Sequence, residues 1–249
     1  MCCKDRVAVV TGGMGGIGSA ICARLAKEGA KVVATCHPSE VDHIEAWIGD
    51  MLAKGAEIAV VAGDVSTAEG GEALMKEIVE KYGQVDILVN CAGITRDSSM
   101  KKMSVDQWDA VIDTNLSSAF YITSPVWNSM IERGFGRVIN ISSVNGQRGQ
   151  FGQANYSAAK AGLHGFTMAL AYEGAAKGVT INTVSPGYIE TTMTAAMRDD
   201  VRDAIVSGIP MRRMGTPEEI AHAVAFLADN ASTYITGANL PVNGGLFIH

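Results

Sequence analysis

The chain has 249 residues, 47% of them hydrophobic and 18% charged, which suits one globular domain with a sizeable core and argues against disorder. Twenty Lys and Arg against 26 Asp and Glu leave a formal charge of −6, so a nucleic-acid surface is not expected. Cys2, Cys3, Cys22, Cys36 and Cys91 have neither CxxC spacing nor a His cluster, and no run reaches the length of a membrane span, so neither a disulfide framework nor a metal site nor a membrane is expected, and the compartment expected is the cytoplasm.

In chain order, the apolar run Arg6 to Val10 predicts a first strand, followed by TGGMGGIG (Thr11 to Gly18) and a helix carrying Ile21 and Leu25 that stops at Gly29. Strand, glycine turn and helix in this order suit an anion held by free N–H groups at a helix N-terminus. Lys31 to Cys36 reads as the second strand. It ends in Cys36 and His37, where a cofactor lacking a 2′-phosphate usually meets Asp or Glu, and this points to NADPH over NADH, with His37 as a candidate phosphate neighbour. Ser39 is placed to cap a helix with apolar positions Val41, Ile44, Trp47 and Leu52. Glu57 to Ala62 is a third strand, and Asp64 just past its end suits either an adenine amino group or a turn. Leu74, Ile78 and Tyr82 share a helix face that ends at Gly83.

Val85 to Asn90 predicts a fourth strand leading into NCAG. Ser104 opens a long helix with Trp108, Val111, Ile112 and Leu116. Asn115 lies in its interior, where an amide is a poor helix former and a kink would aim a polar group at the strand ends. Val138 to Ser142, the helix Tyr156 to Lys177 and Thr180 to Ser185 follow, then PGYIETTM (Pro186 to Met193). The polar stretch from Thr192 to about Pro210 suits a mobile lid, and a helix begun by Pro217 and a strand Asn239 to Val242 close the chain. The expectation is one α/β domain over residues 1–249, with a lid at about 188–214. Its core is a doubly wound parallel sheet of about seven strands with helices on both faces, and ligands bind at the strands' C-terminal ends.

The stretch Asn140 to Lys160 holds Ser143, Tyr156 and Lys160. On a helix, Tyr156 and Lys160 fall one turn apart on one face. An ammonium at about 4 Å with an effective dielectric near 20 contributes roughly 4 kcal/mol, enough to lower a phenol's pKa by about three units. Ser143 at a strand end is placed to donate to the same substrate oxygen. Taken alone such a pair is usually a surface contact; the surrounding motifs decide.

TGGMGGIG, NCAG, Ser143, YSAAK and PG, in this order and spacing, resemble the short-chain dehydrogenase/reductase family along essentially the whole chain. The resemblance implies a Rossmann-type NADP-dependent oxidoreductase, with Gly12, Gly16, Ile17 and Gly18 at the pyrophosphate and Asp64 at adenine. Asn90, Ala92 and Gly93 then lie beside the ribose, and Pro186, Gly187, Ile189 and Thr191 at the nicotinamide. It implies Tyr156 as general acid, Lys160 lowering its pKa and holding the ribose, Ser143 polarising the carbonyl and Asn115 placing a water in a proton relay. Cys91 departs from the family's frequent second Asn, and Gly15 from the Arg frequent in NADP-dependent relatives.

VNGQRGQFGQANYSAAKAGLHGFTMALA, GITRDSSMKKM and VSPGYIETTM are similar to the acetoacetyl-CoA reductases of polyhydroxybutyrate synthesis, least so over residues 38–55. That similarity implies NADPH-dependent reduction of acetoacetyl-CoA to (R)-3-hydroxybutyryl-CoA in a homotetramer. It places Asp97, Lys102, Gln147, Gln150 and Tyr188 with Ser143 and Tyr156 around the acyl group. Arg96, Lys101, Lys102, Arg148, Arg212 and Arg213 stand near loops that would meet an anionic CoA. The rivals are a 3-oxoacyl carrier-protein reductase and a non-catalytic dinucleotide-sensing module, and the second is disfavoured by the intact Asn, Ser, Tyr and Lys set.

Overall fold

The computed structural model describes residues 3–191, 194 and 197–248. Cys2, Thr192 and Met193, named above, lie outside the described residues. Strands β1 (Val7–Val10), β2 (Lys31–Cys36), β3 (Ile58–Ala62), β4 (Ile87–Asn90), β5 (Gly136–Ile141), β6 (Val179–Pro186) and β7 (Asn239–Val242) form one sheet in the order β3-β2-β1-β4-β5-β6-β7. Every pairing is parallel. Strands β1 and β4, up to Asn90, are apolar runs because both sheet faces are covered, whereas β5 and β6 also carry buried polar residues. In β1, Ala8 and Val10 join Ile21, Leu25 and Val224 on one side. Val9 between them joins Leu74, Ile78, Ile122 and Met130 on the other, as a two-residue period requires.

The helices are α1 (Gly16–Lys27), α2 (Ile44–Ala53), α3 (Ala68–Tyr82), α4 (Val105–Ile112), α5 (Ser118–Arg133), α6 (Asn145–Arg148), α7 (Ala154–Gly174), α8 (Asp199–Gly208) and α9 (Pro217–Ala228). α1 and α9 pack on one face of the sheet and α3 and α5 on the other. Thr216 opens α9 with a capping box completed by Glu219, and Pro217 is at the first helical position. Among the described residues no helix is long and apolar enough to cross a membrane.

Two expectations need correction. Ser39 does not cap α2: a 3-10 helix over Pro38–His43 comes first, and its N-cap is His37. The apolar face foreseen there is weak, since Val41 is 47% and Leu52 54% exposed. Trp47 is tied down instead by a 2.8 Å hydrogen bond from its indole N–H to Ser19 Oγ. The long helix foreseen from Ser104 is interrupted by a π-helical turn over Asp113–Ser117.

A polar ladder crosses the middle of the sheet. Asn90 Nδ2 donates to Asn140 Oδ1 at 2.8 Å and to Thr123 Oγ1 at 3.2 Å. Asn140 Nδ2 in turn donates to Thr167 Oγ1 at 2.8 Å, which is 2.7 Å from Thr183 Oγ1. These side chains are buried, and pairing them with one another reduces the cost of polar groups in an apolar layer, although Asn90 Oδ1 is left without a hydrogen-bond partner.

Candidate active site

The chain leaves the sheet's centre in opposite directions from β1 and β4, and the crevice at that switch point is where ligands bind in such sheets. A cavity of about 870 Å³ runs along it, from His37, Glu40 and Asp64 past the glycine turn to Ser143, Tyr156, Lys160 and Pro186 to Thr191. Thr11, at the end of β1, holds the crevice in shape: its Oγ1 accepts from Cys91 N at 3.0 Å and Ala92 N at 3.1 Å. Gly12 has φ +61°, and a Cβ on Gly18 would stand 2.2 Å from Gly12 O. The turn therefore closes on itself only with glycine at both places.

The first turn of α1 has no side-chain cap and no acidic residue. Its free N–H groups open onto the cavity beside Gly15, Gly16, Ile17 and Gly18. A pyrophosphate fits this uncapped, dipole-positive end, so the residues present suit a dinucleotide.

At the far end the structure differs from the expectation of an uncharged strand terminus. Glu40 lines the cavity with His37 and Asp64. Its Oε2 accepts from His37 N at 2.9 Å, while His37 Nδ1 accepts from Ser39 N at 3.2 Å. The carboxylate arrives through a capping box three residues beyond His37, a signature that H-P-S-E displays in the sequence. Asp64 Oδ1 accepts from Ser66 Oγ at 2.7 Å and Ser66 N at 2.8 Å, which hold its carboxyl below the ordinary range. Among the described residues lining the cavity, the basic side chains besides His37 are Arg96 and Lys160, both at the opposite end.

There, α7 brings Tyr156 and Lys160 together, with Lys160 Nζ 5.6 Å from the phenol ring centroid. Nζ donates to Ile141 O at 2.8 Å, and Ser142 Oγ donates to Lys160 O at 2.7 Å. Lys160 is 4% exposed, and burial brings its pKa down to about 8. Tyr156 moves up, not down: burial raises it, a hydrogen bond with Ser143 opposes, and the charges of Cys91 and Asp97 raise it further. The expected acidification treated the ammonium as the only influence, whereas desolvation penalises both ionised forms. Cys91, also at the cleft, is raised to about 11 by burial.

Asn115 sits in the π turn, 2% exposed. Its Nδ2 donates to Ile94 O at 2.9 Å and Val111 O at 2.8 Å, and its Oδ1 accepts from Ile94 N at 3.2 Å. The amide thus clamps the chain after β4 from behind the cavity. Gly93 lies between Asn115 and Lys160: a Cβ there would be 2.5 Å from Asn115 Oδ1 and 3.4 Å from Lys160 Nζ.

Most of the residues singled out from the sequence line the cavity: Gly12, Gly16, Ile17, Gly18, His37, Asp64, Ala92, Gly93, Ser143, Tyr156, Lys160, Pro186, Gly187, Tyr188, Ile189 and Thr191. Asn90 does not; its side chain belongs to the sheet ladder. Asp97, Lys102, Gln147 and Gln150 are also outside the lining. Asp97 Oδ2 accepts from Gln153 Nε2 at 2.8 Å, and Gln147 Oε1 is buried without a hydrogen-bond partner. Lys102 and Gln150 are exposed, Gln150 after Gly149 at φ +72° turns the chain. Thr11, Glu40, Asn145 and Gln153 join the site without having been singled out.

Fold and site together define a nicotinamide-dinucleotide oxidoreductase, and the chain belongs to the short-chain dehydrogenase/reductase family: a family model described as enoyl-(acyl carrier protein) reductase matches residues 12–247. Among individual proteins, the chain is 66% identical over 244 residues to the acetoacetyl-CoA reductase of Allochromatium vinosum, covering 98% of this chain and 99% of that one. It is 55% identical over 242 residues to the acetoacetyl-CoA reductase of Cupriavidus necator, covering 97% and 98%. Identity to the 3-oxoacyl-[acyl-carrier-protein] reductase FabG of Vibrio cholerae is 47% over 246 residues, covering 98% of each.

Proposed function

We propose that the protein reduces the 3-carbonyl of acetoacetyl-CoA to (R)-3-hydroxybutyryl-CoA, the reduction that feeds polyhydroxybutyrate synthesis. The observation that carries this is the meeting of Ser143, Tyr156 and Lys160 at one end of a cleft whose middle is an uncapped helix N-terminus. The names of the two relatives above supply the substrate. When bound, the nicotinamide supplies the hydride that C3 accepts. Tyr156 O–H donates its proton to the carbonyl oxygen as negative charge develops there, and Ser143 Oγ–H donates a second hydrogen bond to the same oxygen. The upward shift of Tyr156 keeps this proton in place before reaction. Lys160, with a pKa of about 8 and so mostly charged at neutral pH, stabilises the phenolate once it forms.

Gly15 to Gly18 would hold the pyrophosphate, Asp64 the adenine side, and Lys160 with Pro186 to Thr191 the nicotinamide side. Cys36 ends β2 without a carboxylate of its own and His37 follows it, which favours NADPH. Glu40 favours a second reading, NADH, because two carboxylates without a Lys or Arg repel a 2′-phosphate, whereas a carboxylate accepts from ribose hydroxyls. The lid expected at about 188–214 would centre on α8, which buries none of its residues. A cytoplasmic homotetramer would cover exposed apolar groups such as Phe151 and Tyr172, which are 90% and 91% exposed in the single chain.

Initial rates with NADPH and NADH against acetoacetyl-CoA, a longer 3-oxoacyl-CoA and a carrier-protein thioester test the proposal. Acetoacetyl-CoA should give the highest kcat/KM, and Tyr156→Phe should lower kcat by about 100-fold or more. A preference for the carrier-protein thioester would transfer the assignment to the FabG-type reaction, and a fully active Tyr156→Phe protein would overturn the chemistry.

A further inference from the structure

The His37 end of the cleft is walled by a segment with few buried side chains to hold it. The 3-10 helix Pro38–His43 buries none of its residues and α2 buries only Met51. Yet this segment carries His37, Ser39 and Glu40 to the cavity. A stretch with so few buried apolar contacts is free to shift as a body unless something else fastens it. Trp47 does so. Its indole packs against the apolar cluster that includes Ile21 and Leu25 of α1, and its N–H donates to Ser19 Oγ at 2.8 Å. Ser19 lies in the first turn of α1, and its Oγ donates in turn toward Met14 O at 3.1 Å and Gly13 O at 3.3 Å. Both carbonyls belong to the glycine turn. Neither Trp47 nor Ser19 lines the cavity itself.

An indole N–H only donates, and a serine hydroxyl has one proton to give. With the indole on a lone pair of Ser19 Oγ, that proton goes to the turn, so α2, α1 and the glycine turn are joined by one directed chain. The chain connects two walls that a dinucleotide must meet together. One is the uncapped start of α1 at Gly15 to Gly18, where a pyrophosphate fits; the other is His37 and Glu40, where the adenosine ribose would reach. We propose that Trp47, acting through Ser19, is a positioning residue that holds the Glu40 wall at a set distance from the pyrophosphate turn, so that the cleft has a dinucleotide's length before the cofactor arrives. Holding the two walls in register strengthens binding by removing the cost of ordering them, and a carboxylate discriminates at the ribose only where it is held. The proposal rests on the dinucleotide reading above.

Calorimetric titration with NADPH and with NADH tests this without an acyl substrate. Trp47→Phe keeps an aromatic ring but loses the N–H, and Ser19→Ala loses the acceptor. Each should weaken both dinucleotides by about 5- to 10-fold, while kcat at saturating cofactor stays near wild type. Ser19→Thr keeps the hydroxyl and should restore wild-type affinity. The double variant should bind no more weakly than the weaker single one, since both substitutions cut the same chain. A general loss of structure would not change what Glu40 does, whereas a displaced wall would. Glu40→Gln should therefore shift the NADPH-to-NADH affinity ratio by about 5- to 10-fold in the wild-type background but only about 2-fold beside Trp47→Phe. Losses that multiply in the double variant, an equal Glu40→Gln shift in both backgrounds, or single variants that bind as wild type does would each overturn the proposal. A wild-type protein that binds neither dinucleotide would overturn it together with the dinucleotide reading. Binding without turnover of acetoacetyl-CoA would remove the substrate assignment alone, and the affinities above would still decide the role of Trp47.

Discussion

Lys160→Met removes a buried ammonium while keeping most of the side chain's length and apolar volume. Burial takes the lysine from its ordinary 10.5 to about 8, a drop of about 2.5 pH units. At about 1.4 kcal/mol per pH unit the fold disfavours the charge at neutral pH by roughly 3 kcal/mol. Against this stands the 2.8 Å hydrogen bond to Ile141 O, worth about 1.5 kcal/mol for a charged donor. The variant should therefore be more stable than wild type by about 1 to 2 kcal/mol at pH 7 and nearly inactive. The sign of the pH dependence follows from where protons are bound. Between about pH 8 and 10 the unfolded chain holds the lysine proton and the folded chain has lost it, so wild-type stability rises with pH and its deficit against the variant closes. Above pH 10 the raised Tyr156 pKa acts in the opposite sense, so the comparison ends there. Urea unfolding of both proteins at pH 7 and near pH 9.5 measures the effect. A variant less stable at pH 7, or a difference that does not change with pH, would refute the reasoning.

Two further outcomes follow from the cleft. Glu40→Gln should raise the kcat/KM ratio of NADPH to NADH by about 5- to 10-fold, the effect of removing about 1 kcal/mol of like-charge repulsion at an exposed site, and steady-state kinetics with the two cofactors would read it. Gly93→Ala places a methyl 2.5 Å from Asn115 Oδ1. It should destabilise the fold by about 1 to 3 kcal/mol in chemical denaturation and lower kcat about 10-fold, and a silent Gly93→Ala would show that the loop after β4 gives way freely.

The strands were legible because a sheet covered on both faces asks only for apolar runs between glycines: β2 and β7 occupy the residues foreseen, and the others shift by one or two positions at their ends. Tyr156 and Lys160 were legible because helical spacing alone sets their neighbourhood. Their ionisation was not, since it depends on how deeply α7 is buried, which spacing does not reveal. Glu40 was missed because it reaches the cleft through a 3-10 turn and not at the strand end where a carboxylate is sought. Asn90 misled because a strand's last residue has two faces to choose from, and here the buried amide of Asn140 offers the better partner. Gln147 lies in the four-residue helix α6 and Gln150 in the loop after it, a stretch too short for any period to fix a direction, so their side chains could not be aimed from sequence.

The π turn at Asp113–Ser117 constrains how this part of the chain can change length. Dropping a single residue there would let α4 run straight into α5 with ordinary geometry, but would rotate everything beyond it by about 100°. Ile122, Val126 and Met130, now in the core, would swing away from the sheet, while Asn115 would let go of Ile94. A tidier helix and a working cleft are thus alternatives for this segment, and shortening by one residue, harmless in many surface loops, is closed to it.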